Sequence, residues 1–131
     1  MSVSLGVKSN ETASSTKDNL VETLANLINL TEAKFPFWRD HSVMVTMHAL
    51  DIANEMNLGE DFIRDIRDAG RLHDIGKVLL SEKILSKEES LTERDWRLVK
   101  LHPDWGRMIL APFMELKGIL PLVYYHHELH D

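Results

Sequence analysis

Apolar residues in this chain recur at intervals of three and four and nowhere alternate, a periodicity that restricts the fold to helices. Leu20, Val21, Leu24, Leu27 and Ile28 form a first stripe. It breaks at Phe35-Pro36, because the residue before a proline avoids the α region. A second helix is expected over residues 41–56, with Val43, Met44, Met47, Leu50 and Ala53 apolar and Leu58-Gly59 ending it. A third is expected over 60–74. Ile66, Ala69, Gly70 and His73 share one of its faces, which turns His73 toward the core and lets a second backbone approach Gly70. Residues 78–90 read as an irregular connection. Thr92 then offers an N-cap, Asp95 completes a capping box, and Leu91 and Trp96 occupy the flanking staple positions. Pro103 should bend or restart that helix, with Trp105, Met108 and Ile109 buried beyond it. A last helix is expected over 115–129, with Ile119, Leu120 and Val123 inside. The expectation is an all-α compact bundle of about five helices. Residues 1–18 are rich in Ser, Thr and Asn without periodicity and read as a flexible leader to a domain over 19–131.

Composition narrows what such a bundle can do. The 131 residues fit one domain, and 44% hydrophobic content suffices for one core. A formal charge of −6 argues against nucleic acid as a partner, since no basic excess exists to displace counterions. It leaves room for a small phosphate ligand if bound cations supply the positive charge. The absence of cysteine excludes disulfides, thiolate metal sites and a cysteine nucleophile. No apolar run approaches a membrane span, so a cytoplasmic location is expected. Glu60, Asp61, Asp65 and Asp68 read as a solvated face, and Trp38, Trp96 and Trp105 as packing anchors at helix starts.

Seven histidines are many for this length, and four separate segments carry five of them to helices. The segments are Asp40-His41-Ser42, Leu72-His73-Asp74-Ile75-Gly76-Lys77, Leu101-His102-Pro103 and Tyr125-His126-His127. Neighbours such as His73 and Asp74 point about 100° apart on a helix. They can hold one ion from two sides, or the carboxylate can bridge two ions while each imidazole binds one. A pair of cations so held suits phosphoester hydrolysis, because it acidifies water and screens charge on the phosphate. Lys77 lies three residues beyond Asp74 and is a candidate phosphate contact; Gly76 between them removes bulk where a ligand would approach. His48 stands about 10.5 Å along the helix from His41 and is expected to be a core or hydrogen-bonding residue. His130, near the chain end, is expected in solvent.

These segments, with Leu91-Thr92 through Trp96 and Leu101-His102-Pro103-Asp104-Trp105-Gly106 between them, resemble the HD superfamily of metal-dependent phosphohydrolases. Within it they resemble the HD-GYP subfamily of cyclic di-GMP phosphodiesterases, over most of the chain from Leu20 to Asp131. The resemblance implies an HD-domain-like fold. It implies metal ligation by His41, His73, Asp74, His102, His126 and His127, with Asp74 bridging and Lys77 contacting substrate. It implies hydrolysis of a cyclic dinucleotide, most simply cyclic di-GMP, in a signalling role, through a hydroxide bridging the metals. Two divalent ions are expected at most, iron or manganese ahead of nickel or zinc. The pattern departs from the subfamily in three places. Phe37 replaces a glutamate that holds an extra metal in some members, Leu129 replaces a basic residue, and the chain stops at Asp131 where the Gly-Tyr-Pro loop should open, as if truncated. Two alternatives stay open: another HD-type phosphohydrolase acting on monoesters such as nucleotides, and a non-catalytic binding or signalling module. The expected partner is a small phosphodiester or nucleotide, with a homodimer or attached regulatory domain as further possibilities.

Overall fold

The computed structural model describes residues 6–129, with side chains from residue 13 onward. Among them are seven α-helices and no strand: α1 (Gly6–Ala33), α2 (His41–Glu55), α3 (Glu60–Leu72), α4 (Glu82–Leu85), α5 (Glu93–Val99), α6 (His102–Leu110) and α7 (Leu120–Tyr124). Two 3-10 turns, Ile75–Leu79 and Met114–Ile119, complete the bundle.

The main core draws on the expected stripes of α1, α3 and α7, whereas that of α2 needs correction: Val43, Met44 and Met47 are exposed, and the helix buries Ser42, Thr46 and Ala53. Val21, Ala25 and Ile28 of α1 meet Ala69 and Leu72 of α3, Ile75, Leu110 of α6, Leu116, Ile119 and Val123 of α7. A second cluster joins Phe35, Leu80, Leu85 and Val99, with Trp38 and Trp105 against it. Leu72 and Ile75 are both 0% exposed and flank His73-Asp74 on either side. Full burial of each is worth roughly 1.5–3 kcal/mol, so the dipeptide between them is anchored by the core itself.

Two glycines let neighbouring helices close on that dipeptide. A Cβ at Gly70 would lie 2.7 Å from Thr46 Oγ1 and 3.1 Å from Thr46 Cα, so α2 packs directly on α3 there. A Cβ at Gly76 would lie 1.9 Å from the His102 carbonyl oxygen and 2.8 Å from the Gly106 nitrogen. Gly76 therefore makes room for α6 rather than for a ligand, which corrects its reading from sequence. α2 brings His41 and α6 brings His102.

The Thr92 cap is present as expected. Thr92 Oγ1 accepts from the Asp95 N–H at 3.2 Å, and Asp95 Oδ2 accepts from the Thr92 N–H at 2.9 Å. Lys87 adds a 2.7 Å ion pair, which holds the Asp95 pKa down at about 2. Pro103 restarts the chain as α6 after α5 ends at Val99.

Several expectations need correction. α1 starts at Gly6, well before the first apolar stripe. Its polar first half is tied to α3 instead, by Lys17 on Asp68 at 3.1 Å and on Asp65 at 3.7 Å. Asp68 is thus a buried partner rather than part of a solvated face. The connection over 78–90 contains α4, and the last helix is only α7, followed by turns. Met108 and Trp96 are exposed rather than buried anchors: α5 buries Val99, and α6 buries His102, Gly106 and Leu110, in their place. No described helix is long and apolar enough to cross a membrane.

Candidate metal centre

Asp74 follows α3 at the entrance to the first 3-10 turn, with φ −98° and ψ 11°. It is 3% exposed. Imidazoles from four segments surround it and divide between its two oxygens. His41 Nε2 lies 3.3 Å and His73 Nε2 3.4 Å from Oδ2. His102 Nε2 lies 3.1 Å and His126 Nε2 3.7 Å from Oδ1. His127 stacks beside them, its ring centroid 4.1 Å from that of His126 and 5.0 Å from that of His102. Ligand-capable atoms fall into two groups that share Asp74: His41, His73 and Asp74, and Asp74, His102, His126 and His127. All six residues assigned to metal from sequence therefore converge.

Local backbone fixes which nitrogen faces inward. Nδ1 of His73 lies 2.7 Å from the Gly70 carbonyl, Nδ1 of His102 2.6 Å from that of Val99, and Nδ1 of His126 2.6 Å from that of Val123. A carbonyl only accepts, so each Nδ1 donates, and each neutral ring presents its Nε2 lone pair to the centre. His102 Nε2 and His126 Nε2 are 3.1 Å apart, and at most one of them can donate to the other.

That arrangement is a test of fit for a cation. Neutral imidazoles place acceptor nitrogens against an acceptor carboxylate, and buried Asp74 Oδ1 has no hydrogen-bond partner. The 3.1 Å approach of His102 does not satisfy it, since that ring gives its proton to Val99. Such a cage is repulsive until protons or metal ions enter it. Nitrogen and carboxylate donors of this kind fit divalent first-row metals.

Without metal the cage is strongly coupled electrostatically. Burial favours a neutral Asp74, but hydrogen bonds from His102, His126, His41 and His73, when protonated, outweigh burial and hold its pKa far below the carboxylate range. Burial likewise lowers the His73 pKa, yet the Asp74 hydrogen bond and charge and the Gly70 carbonyl reverse this, so the net shift is upward. The His127 pKa is lowered, first by burial and then by His126 and His102.

Lys77 is turned onto the same carboxylate, its Nζ 2.6 Å from Asp74 Oδ2 and 3.7 Å from the centroid of the Trp38 ring. Trp38 also meets His41 edge-on at 6.1 Å. It thus contacts two residues of the centre as well as packing on the second cluster. His48 stands apart and exposed, not in the core, because two residues beyond buried Thr46 it points about 200° around α2, to the helix's other side. His130 lies outside the described residues.

Sequence reasoning missed Glu32. It is buried, and its carboxylate binds Ser42, the neighbour of His41. A signal existed: Val21, Ala25, Ile28 and Glu32 continue one stripe, so an acid stands where a core residue is due.

A family model described as HD domain matches residues 38–131. Among curated proteins, the chain is 34% identical over 119 residues to a cyclic di-GMP phosphodiesterase of Thermotoga maritima, covering 88% of this chain and 32% of that protein. It is 33% identical over 88 residues to a cyclic di-GMP phosphodiesterase of Pseudomonas aeruginosa, covering 67% and 21%. It is 32% identical over 102 residues to a 3'3'-cGAMP-specific phosphodiesterase of Vibrio cholerae, covering 78% and 22%. The chain thus spans between about a fifth and a third of the length of these relatives. No solved structure gives a significant match.

Proposed function

This chain belongs to the HD domain family, and from that premise we propose that it is the catalytic portion of a metal-dependent phosphodiesterase acting on a cyclic dinucleotide, cyclic di-GMP first. The family implies divalent metal binding. The observation that carries the reading is the division of imidazoles between the two oxygens of Asp74, two facing each. His41 and His73 would hold one cation and His102, His126 and His127 a second, with Asp74 shared. Iron or manganese suits this donor set, with nickel or zinc as substitutes.

When bound, the metals would acidify a water and offset charge on the phosphodiester. The remaining work falls to the chain. Carbonyls of Gly70, Val99 and Val123 keep three rings in the tautomer that presents Nε2. Asp74 stays ionised and orients both groups of ligands. Lys77 spends one donor on Asp74, and an ammonium has three, so it retains N–H groups for a substrate phosphate oxygen. A cavity with about 340 Å³ of water-accessible space borders the centre, floored by Val45, Ile66, Ala69 and Leu122 and rimmed by His41, His73, His126 and His127. Its apolar lining beside histidines that would hold the cations suits a nucleobase attached to a phosphate.

The test is hydrolysis by purified, metal-reconstituted protein under reducing conditions. Cleavage of cyclic di-GMP and of bis-nitrophenyl phosphate is expected, with loss of both in Asp74→Asn. Cleavage of nitrophenyl phosphate alone would assign a monoesterase. Metal binding without any hydrolysis would assign a binding module.

A further inference from the structure

We propose that Glu32 is a positioning residue for the centre, capping α2 from a different helix and so setting where His41 stands. The proposal rests on the metal-centre reading above.

An acid has two reasons not to be at this place. Glu32 is 6% exposed, and it sits in the last turn of α1, the end of a helix dipole that disfavours negative charge. What compensates is the start of α2. Asp40, the residue before that helix, adopts a left-handed conformation (φ 58°, ψ 11°), and its side chain makes no capping bond. The orphan N–H of Ser42 turns instead to Glu32, at 3.2 Å from each carboxylate oxygen. Ser42 Oγ donates to the same carboxylate at 2.5 Å. An N-cap side chain ordinarily accepts from this second or third N–H of the helix. Here α1 supplies the acceptor, and its charge faces the positive end of α2.

The tie extends into the centre on two routes. His41 directly precedes Ser42, so fixing the Ser42 backbone fixes the origin of the His41 side chain. The Ser42 carbonyl accepts from Thr46 Oγ1 at 2.7 Å, and Thr46 is the residue packed on Gly70. The Gly70 carbonyl in turn holds His73 Nδ1 at 2.7 Å. Both routes end on the oxygen of Asp74 that faces His41 and His73. Neither runs through the elements that carry His102 and His126, which stand on α6 and just after α7, although the His73 ring meets that of His126 edge-on at 4.9 Å. Glu32 therefore governs one half of the cage.

The half-site prediction gives the test. In metal-free protein, side-chain histidine NMR of Glu32→Gln, Glu32→Ala and Ser42→Ala should show His41 resonances displaced most, His73 less so, and His102 and His126 least. In a manganese titration the cation shared by His41 and His73 should weaken by about tenfold or more, while the other keeps its affinity. Adding Glu32→Ala to His41→Ala should cost less affinity than Glu32→Ala costs alone, because part of the effect passes through His41 and only the remainder through Thr46, Gly70 and His73. Glu32→Gln should lose less than Glu32→Ala, since its amide oxygen still accepts one bond. Uniform movement of all four histidines, or an unmoved His41 in the two mild variants Glu32→Gln and Ser42→Ala, would overturn the proposal. If wild-type protein took up no manganese, the metal reading would fail, and the metal-free spectrum would still decide the role of Glu32.

Discussion

Gly76 and His102 touch through the main chain: the space a Cβ would fill at Gly76 is taken by the His102 carbonyl, 1.9 Å away. The centre therefore depends on a residue that contributes no side chain to it. α6 can bring the His102 ring to 3.1 Å from Asp74 Oδ1 only because no side chain projects from Gly76, in the turn that follows Asp74.

Gly76→Ala should accordingly disrupt both fold and site. The obstacle is backbone on both sides, which cannot rotate aside like a side chain, so a loss of about 3 kcal/mol or more is expected. Gly70→Ala meets the movable Thr46 hydroxyl first and should cost less, though the nearby Thr46 Cα limits the relief. Thermal melts of the two variants test the order. Equal melting temperatures for Gly76→Ala and wild type would show that α6 does not sit where it is described.

The pH dependence of the metal-free protein follows from His73. Its pKa in the folded state is raised above the ordinary 6.5, so the folded form binds more protons than the unfolded form between those values. The contribution is fully present below 6.5 and disappears as pH rises through the raised value. The Asp74 pKa is depressed below its ordinary 3.8, so its contribution is constant above that and is lost only as pH falls through the depressed value in acid. In chelator, stability should therefore fall as pH rises from about 6.5 through the raised His73 value. Cations require neutral imidazoles, so the stabilisation they add should grow over the same range. Melts with chelator and with manganese across this interval check both signs; a chelated protein that gained stability with pH would contradict the assignment.

Removing the Thr92 cap should separate stability from function. Thr92→Ala deletes the acceptor for the Asp95 N–H and should destabilise by about 1 kcal/mol. The box lies at the start of α5, outside both groups of ligand atoms. Manganese affinity should be unchanged. A matching loss of affinity would mean that α5 transmits strain to His102.

Much of this was legible in the sequence because short-range rules set it. The Thr92–Asp95 box needs only its own residues, and the α3 stripe shows which side of that helix is covered, whereas α2 buries Ser42 and Thr46 and exposes Val43, Met44 and Met47. The convergence of His41, His73, Asp74, His102 and His126 was legible as a pattern of spaced segments, not as geometry. What escaped depends on contacts distant in sequence. The polar start of α1 carries no apolar period, and its tie to Asp65 and Asp68 through Lys17 is invisible locally. Gly76 faces α6 rather than a ligand, which follows only once Gly106 and His102 are placed. Glu32 looked like one more helical acid, although it continues a buried stripe. The last helix was overestimated because Ile119, Leu120 and Val123 pack equally well from a 3-10 turn and one short helix.

The central claim is that the imidazoles around Asp74 hold divalent cations. Metal content after reconstitution with manganese or iron, measured for wild type beside Asp74→Asn, tests it most directly. Near-stoichiometric retention by wild type and a large loss in Asp74→Asn are expected, since the substitution removes the charge both groups of ligands share. Equal, negligible metal in two folded proteins would contradict the claim.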